Sequence, residues 1–82
     1  MKRSGKRSYG QLRPLILKAL SKGQKTVNQV STETGINWKT VDNHLVYLTG
    51  RGFLQAIFIS DYVKIYAITE KGTAAIKTGG RL

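Results

Sequence analysis

The segment TVNQVSTETGINWKTVDNHLVYLTGRGFL, from Thr26 to Leu54, constrains the fold more than any other part of the chain. It reads as two short helices around a tight turn, then a glycine stop and the start of a strand. Gly35 falls where such a turn needs a positive φ, which glycine adopts at little steric cost. Asn37 follows as a candidate N-cap for the next helix. That helix, expected from Trp38 to Thr49, carries Val41, Leu45 and Leu48 on one stripe, with Lys39, Thr40, Asn43 and Tyr47 largely off it. One side can be buried while the other is offered to a partner.

Charge indicates which partner. The chain has 82 residues, with 14 Lys and Arg against 4 Asp and Glu, a formal net charge of +10. Self-repulsion at that level destabilises a small domain, so a polyanion is the expected partner, nucleic acid before an anionic membrane. No segment combines a basic face with the wide apolar face that membrane-surface helices use. No apolar run is long enough to span a bilayer or to serve as a signal peptide. With no cysteine, disulfides and thiolate metal sites are excluded, which fits a reducing cytoplasm.

The rest of the chain arranges itself around this segment. Residues 1–10, MKRSGKRSYG, form a basic arm in which Lys2, Arg3, Lys6 and Arg7 can follow phosphates or enter a minor groove. A first helix is expected from Gln11 to Ser21, with Leu12, Leu15, Ile16, Ala19 and Leu20 inward. Pro14 should lie in its first turn, where a missing N–H costs nothing. Thr26 caps a second helix over Val27–Thr34, whose Val27 and Val30 face inward, and Ile36 plugs the turn. Gly52 is the better candidate for the left-handed cap of the third helix.

The period then changes. Phe53 to Ile59 and Tyr62 to Ile68 read as two strands around a Ser60-Asp61 turn, an antiparallel hairpin. Both of its faces are apolar, and a small domain hides one, so the other is expected to meet a further surface such as a second subunit. Thr69 caps a last helix from Glu70 to Lys77, with Ala74, Ala75 and Ile76 inward. Residues 79–82 form a tail, leaving 11–78 as one domain.

Four pieces, in this order and spacing, carry a family resemblance. They are Ile16-Leu17-Lys18-Ala19-Leu20; Thr34-Gly35-Ile36; Thr40-Val41-Asp42-Asn43-His44-Leu45 with Leu48 and Gly52-Phe53-Leu54; and Tyr66-Ala67-Ile68-Thr69-Glu70-Lys71-Gly72. The chain resembles winged helix-turn-helix transcription regulators of the ArsR-like and MarR-like kind, especially the small archaeal versions. The implied fold is α+β: a three-helix core, then a two-stranded antiparallel wing and a short C-terminal helix. The implied function is regulation of transcription by a DNA-bound homodimer, with the Trp38–Thr49 helix in the major groove. By position, Asn37, Trp38, Lys39, Thr40 and Asn43 approach the DNA. Asn43 stands where relatives often carry arginine, and the wing turn has no basic residue.

Each candidate has its own chemistry. Lys39 suits a phosphate or guanine, Asn43 an adenine, and Thr40 a phosphate or thymine methyl. Trp38 either stacks on the nucleic acid or packs on the second helix, and packing is favoured. Tyr47 offers a hydroxyl to a phosphate. Lys25, Thr26 and Asn28 surround a helix N-terminus that can hold a phosphate. Arg51 and Lys64 flank the hairpin within reach of the backbone. His44, the sole histidine, is expected to be a hydrogen-bonded structural residue.

No enzyme is legible. The single histidine lies on the recognition-helix stripe and the four acids are dispersed, so no nucleophilic triad, carboxylate pair or metal site suggests itself. No cofactor is expected. Besides the sequence-selective regulator, two alternatives remain. One is an architectural protein that coats DNA with little preference, and the other is a winged helix used for protein or RNA contacts.

Overall fold

Local signals set the boundaries in the middle of the chain. In the computed structural model, which describes residues 9–78, helix α2 spans Val27–Thr34. Thr26 is its N-cap: Thr26 Oγ1 accepts from Gln29 N at 3.1 Å, and Gln29 Oε1 accepts from Thr26 N at 2.8 Å. This reciprocal capping box satisfies two backbone donors at once. Gly35 ends α2 at φ 75°, and its N–H donates to Ser31 O. Asn37 then opens α3, Trp38–Gly50, its Oδ1 accepting from Lys39 N at 2.9 Å and Thr40 N at 3.4 Å. Three cap or turn residues within twelve positions thus fix the angle between the two helices.

Helix α1, Tyr9–Leu20, differs from expectation at its start. It begins two residues before Gln11, which places Pro14 in the second turn rather than the first. The missing N–H there leaves one carbonyl near the helix start without its helical donor, a cost the packing of α1 offsets. The helix packs on α2, on strand β3 (Lys64–Ile68) and on α4 (Glu70–Lys77). With neighbours on several sides, its buried arc reaches Leu17, which is fully buried, while Leu15, expected inward, opens to solvent.

The core is one cluster: Leu12, Ile16, Leu17 and Leu20 of α1 meet Val27, Val30, Ile36, Val41, Leu45, Leu48 and, from the sheet side, Leu54 and Tyr66. Val41, Leu45 and Leu48 are all fully buried, so the stripe seats α3 as its spacing requires.

The two-stranded wing is joined by a third, short strand, so the sheet has three. Strand β1 is only Lys25–Thr26, and β2 is Leu54–Ile59; the order is β1-β3-β2, all antiparallel. A two-residue strand has no pattern of its own and exists only because β3 supplies its ladder. The return strand starts at Lys64, and the turn takes residues 60–63. Ser60 organises it: Ser60 N donates to Val63 O at 2.8 Å, while Ser60 Oγ accepts from Tyr62 N and Val63 N.

The two-faced alternation of the hairpin has a structural cause. Ala56 pairs with Tyr66 and Phe58 with Ile65, so Ile57 is the extra residue of a β-bulge. A bulge shifts the side-chain alternation by one position. Beyond Leu54 every residue of β2 is exposed.

Gly52, at φ 86°, carries the chain from α3 into β2. Thr69 caps α4 as expected, Oγ1 accepting from Gly72 N at 3.1 Å. Gly72 allows α4 to sit against the strand entry: a Cβ there would overlap the Phe53 carbonyl oxygen and lie 2.7 Å from the Ile68 side chain. Of the residues expected inward on α4, Ala75 is buried and Ile76 partly so, but Ala74 faces solvent.

Candidate nucleic-acid interface

With Val41, Leu45 and Leu48 turned to the core, 100° per residue places Lys39, Asn43, Val46 and Gly50 on the outer side of α3. All four are exposed. Lys39 and Asn43 lie one turn apart on this face, at the helix end where Asn37 makes its cap. A cation and a donor–acceptor amide stand together here, able to address a phosphate and a base edge.

Two clefts flank this outer face. The first, between α1 and α3, is lined by Arg13, Thr40, Asn43, His44 and Tyr47, with a volume of about 250 Å³. Arg13 lies over the Tyr47 ring, its guanidinium carbon 4.1 Å from the ring centroid. Arg13 Nε also donates to His44 Nδ1 at 3.5 Å, a long hydrogen bond. His44 is 4% exposed, so it is the hydrogen-bonded structural residue its position indicated. Burial first, and the Arg13 charge second, hold its imidazole below the usual histidine range.

The second cleft, of about 430 Å³, lies between α2, α3 and the wing turn. It is lined by Thr26, Val27, Asn28, Trp38, Asp42, Asp61, Tyr62, Val63 and Lys64. Trp38 is 57% exposed here, against the expectation that it packs. As the first residue of α3 it stands beside the start of α2, where no core is left to cover it. Asp42 does not face a groove alone: Lys64 Nζ lies 3.3 Å from Asp42 Oδ1. Tyr66 is buried beside this pair, and burial first, then Asp42, push its hydroxyl above the usual tyrosine range against a smaller opposing effect of Lys64.

The remaining predicted contacts divide. Tyr47 is exposed beside Asn43, with its ring under Arg13. Asn28 is exposed next to Trp38. Lys25 is not a free cation: its side chain is 18% exposed and its amine is 3.5 Å from Glu33 Oε1. Glu33 also accepts from Lys22 Nζ at 3.0 Å, and this hydrogen bond is the main reason its carboxyl stays below the usual range. The α2 N-terminus, a candidate phosphate site, has its Gln29 N–H occupied by Thr26 in the capping box. Lys64 is held by Asp42. Arg51 is exposed but caps the far end of α3, about 20 Å along the axis from Asn37. Lys2, Arg3, Lys6 and Arg7 lie outside the described residues.

Sequence reasoning missed Arg13. It is 31 positions from His44, and no local signal places α1 beside α3. Among the described residues no group of three or more His, Cys, Asp or Glu is placed to hold a metal ion, and no helix is long and apolar enough to cross a membrane.

A family model for bacterial regulatory proteins of the ArsR family matches residues 10–56, from the start of α1 into β2. The chain belongs to the ArsR family. No match is found among curated proteins. Among solved structures, this ArsR-family chain is similar to Sso10a-2, a DNA-binding protein from Sulfolobus solfataricus: TM-score 0.76, 26% identity, 88% of this chain and 74% of that one. The transcriptional regulator BldR from the same organism matches with TM-score 0.75 at 21% identity, over 83% of this chain and 50% of BldR, which shows the shared fold. A possible transcriptional regulatory protein fragment from Mycobacterium bovis matches at 28% identity with TM-score 0.65, covering 80% of this chain and 71% of the fragment. The chain therefore spans half of BldR and nearly three quarters of Sso10a-2.

Proposed function

We propose that the chain regulates transcription by binding double-stranded DNA, with α3 in the major groove and Lys39 and Asn43 addressing phosphate and base edges. The observation that carries this is the exposure of both side chains on the outer face of a helix whose opposite stripe is fully buried. Family membership and the net charge of +10 support it. Family membership likewise supports a binding module rather than an enzyme. Trp38, Thr40, Tyr47, Asn28, Asn37 and Thr26 border the same surface, and Arg51, Lys64 and Lys25 serve it less directly. The arm residues Lys2, Arg3, Lys6 and Arg7 add sequence-independent charge.

Replacing Asn43 by Ala tests the reading. The expected loss is about 1–3 kcal/mol on a preferred duplex and little on random duplex. An equal loss on both would show that Asn43 reads no base.

A homodimer is the second part of the proposal. The wing exposes Ile57, Phe58, Ile59, Tyr62 and Val63 around β2, an edge strand. Such an edge pairs readily with another chain unless something covers it. Sedimentation should show a dimer that Phe58→Ser weakens without loss of helicity. A monomer at every concentration, with one chain bound per DNA site, would remove the dimer.

A further inference from the structure

The α1–α3 cleft has a composition the recognition helix alone does not explain. Its lining is one guanidinium, one hydroxyl, one amide, one imidazole and one phenol, with no carboxylate. Arg13 is braced from two directions among others: its guanidinium carbon lies over the Tyr47 ring, and its Nε donates to His44. His44 in turn is fixed by burial. An arginine held in this way has lost much of the rotamer freedom that a surface cation surrenders on binding, so less is lost per contact formed. Thr40 and Asn43, which share this cleft, are also members of the proposed DNA-facing surface. Whatever meets Asn43 from outside therefore passes the mouth of the cleft.

We propose that the cleft formed by Arg13, Thr40, Asn43, His44 and Tyr47 is a phosphodiester cradle, in which Arg13 of α1 clamps one backbone phosphate of the DNA that α3 reads. This rests on the placement of α3 in the major groove and adds to it the partner atom and a residue from a different helix. The opposite cleft is excluded for the same role by Asp42 and Asp61 in its lining. Tyr47 is a positioning residue: its ring orients the guanidinium. Thr40 and the Tyr47 hydroxyl supply neutral donors beside the charge. An arginine fork suits phosphate geometry in a way a lysine does not, so the identity of the cation matters as well as its charge.

The test uses the full chain and a duplex of the preferred sequence. Arg13→Gln should weaken binding about fivefold at 0.15 M salt, on preferred and random duplexes alike. It should also lower the slope of log K against log salt by about one, the signature of one lost phosphate contact at ~0.9 per phosphate. Arg13→Lys should restore the slope but only part of the affinity. Duplexes in which single phosphates are replaced by neutral methylphosphonates should reveal one position per half-site that weakens the wild type and leaves Arg13→Gln unaffected. A slope unchanged in Arg13→Gln, at an unchanged melting temperature, overturns the cradle. So does the absence of any methylphosphonate position at which the two proteins differ.

Two further arms separate the sources of failure. Lys39→Ala reports on α3 outside the cleft: if it weakens binding and Arg13→Gln does not, the groove reading stands and the cradle falls. If neither variant affects binding, the placement of α3 falls first. Inorganic phosphate added as a competitor at constant ionic strength distinguishes a free anion from the duplex backbone. Binding of millimolar phosphate that is lost in Arg13→Gln but leaves duplex affinity unchanged would assign the cleft to the free anion and overturn its assignment to DNA.

Discussion

The two flanks of α3 share one helix and one buried seat, yet they present opposite electrostatics. Towards α1 the lining is Arg13, Thr40, Asn43, His44 and Tyr47, without an acid. Towards the wing it holds Asp42, Asp61 and Lys64 among Trp38 and Tyr62, and its one cation is paired with Asp42 at 3.3 Å. A net charge of +10 does not distribute itself evenly. Lys22, Lys25 and Lys64 are each beside a carboxylate, so much of the charge near α2 and the wing is locally balanced. The lesson is that total charge points to a polyanionic partner, while the flank that lacks acids is the one where the proposed phosphate contact meets no repulsion.

The most damaging change to this contrast would remove the seat that both flanks share. Leu45→Ala deletes a fully buried side chain from the centre of the core. It should cost about 2–5 kcal/mol of stability, read as a lowered midpoint in chemical denaturation. Because neither flank survives loss of the seat, DNA binding on all sequences should fall with the folded fraction. Retention of full stability would mean that α3 is not held by its Val41–Leu45–Leu48 stripe.

A smaller change would sharpen the contrast from the wing side. Asp42→Asn removes an acid and releases Lys64. Affinity for any duplex should rise, up to about fivefold at 0.15 M salt if Lys64 then meets one phosphate, with a salt slope steeper by about one. The pair itself is partly exposed, so its loss should change stability little. A drop in affinity would place Asp42 among the base-reading residues instead, as an acceptor for a cytosine amine.

The smallest expected effect is on the α1 side and depends on pH. The folded His44 takes up its proton at lower pH than the unfolded chain does, because burial and Arg13 both oppose the imidazolium. Stability is therefore undiminished above the unfolded value, about 6.5, and declines as pH falls from there through the folded value. Melting temperatures measured between pH 8 and pH 5 should show this decline, and His44→Gln should flatten it. A wild-type curve that rises on acidification would show that the fold favours the imidazolium and contradict this reading of His44.

How much of this was legible in the sequence depends on how local each signal is. The α2–turn–α3 unit was readable because Thr26, Gly35 and Asn37 each act within three or four residues of themselves. The seat of α3 was readable because its stripe repeats at helical spacing. Strand β1 was not, since Lys25 and Thr26 become a strand only through pairing with Ile65 and Tyr66, about forty positions away. The bulge at Ile57 was visible only as a broken alternation, which a second apolar face imitates. Leu15, expected inward, is open and Leu17 is buried because the buried arc of α1 is set by the elements packed against it rather than by its own period. At the candidate site, the outward direction of Lys39 and Asn43 followed from the stripe. The neutralisation of Lys25 and Lys64, the exposure of Trp38 and the entry of Arg13 did not, because each depends on which element lies alongside.

Base reading by the outer face of α3 is best checked by selection from a pool of random duplexes at physiological salt. Wild type and Asn43→Ala should both enrich a sequence motif, with the variant losing information at one position of each half-site and keeping the rest. No motif from the wild type would point to an architectural DNA-coating protein, and identical motifs from the two proteins would show that Asn43 does not read the groove; either result would rule out base reading by Asn43.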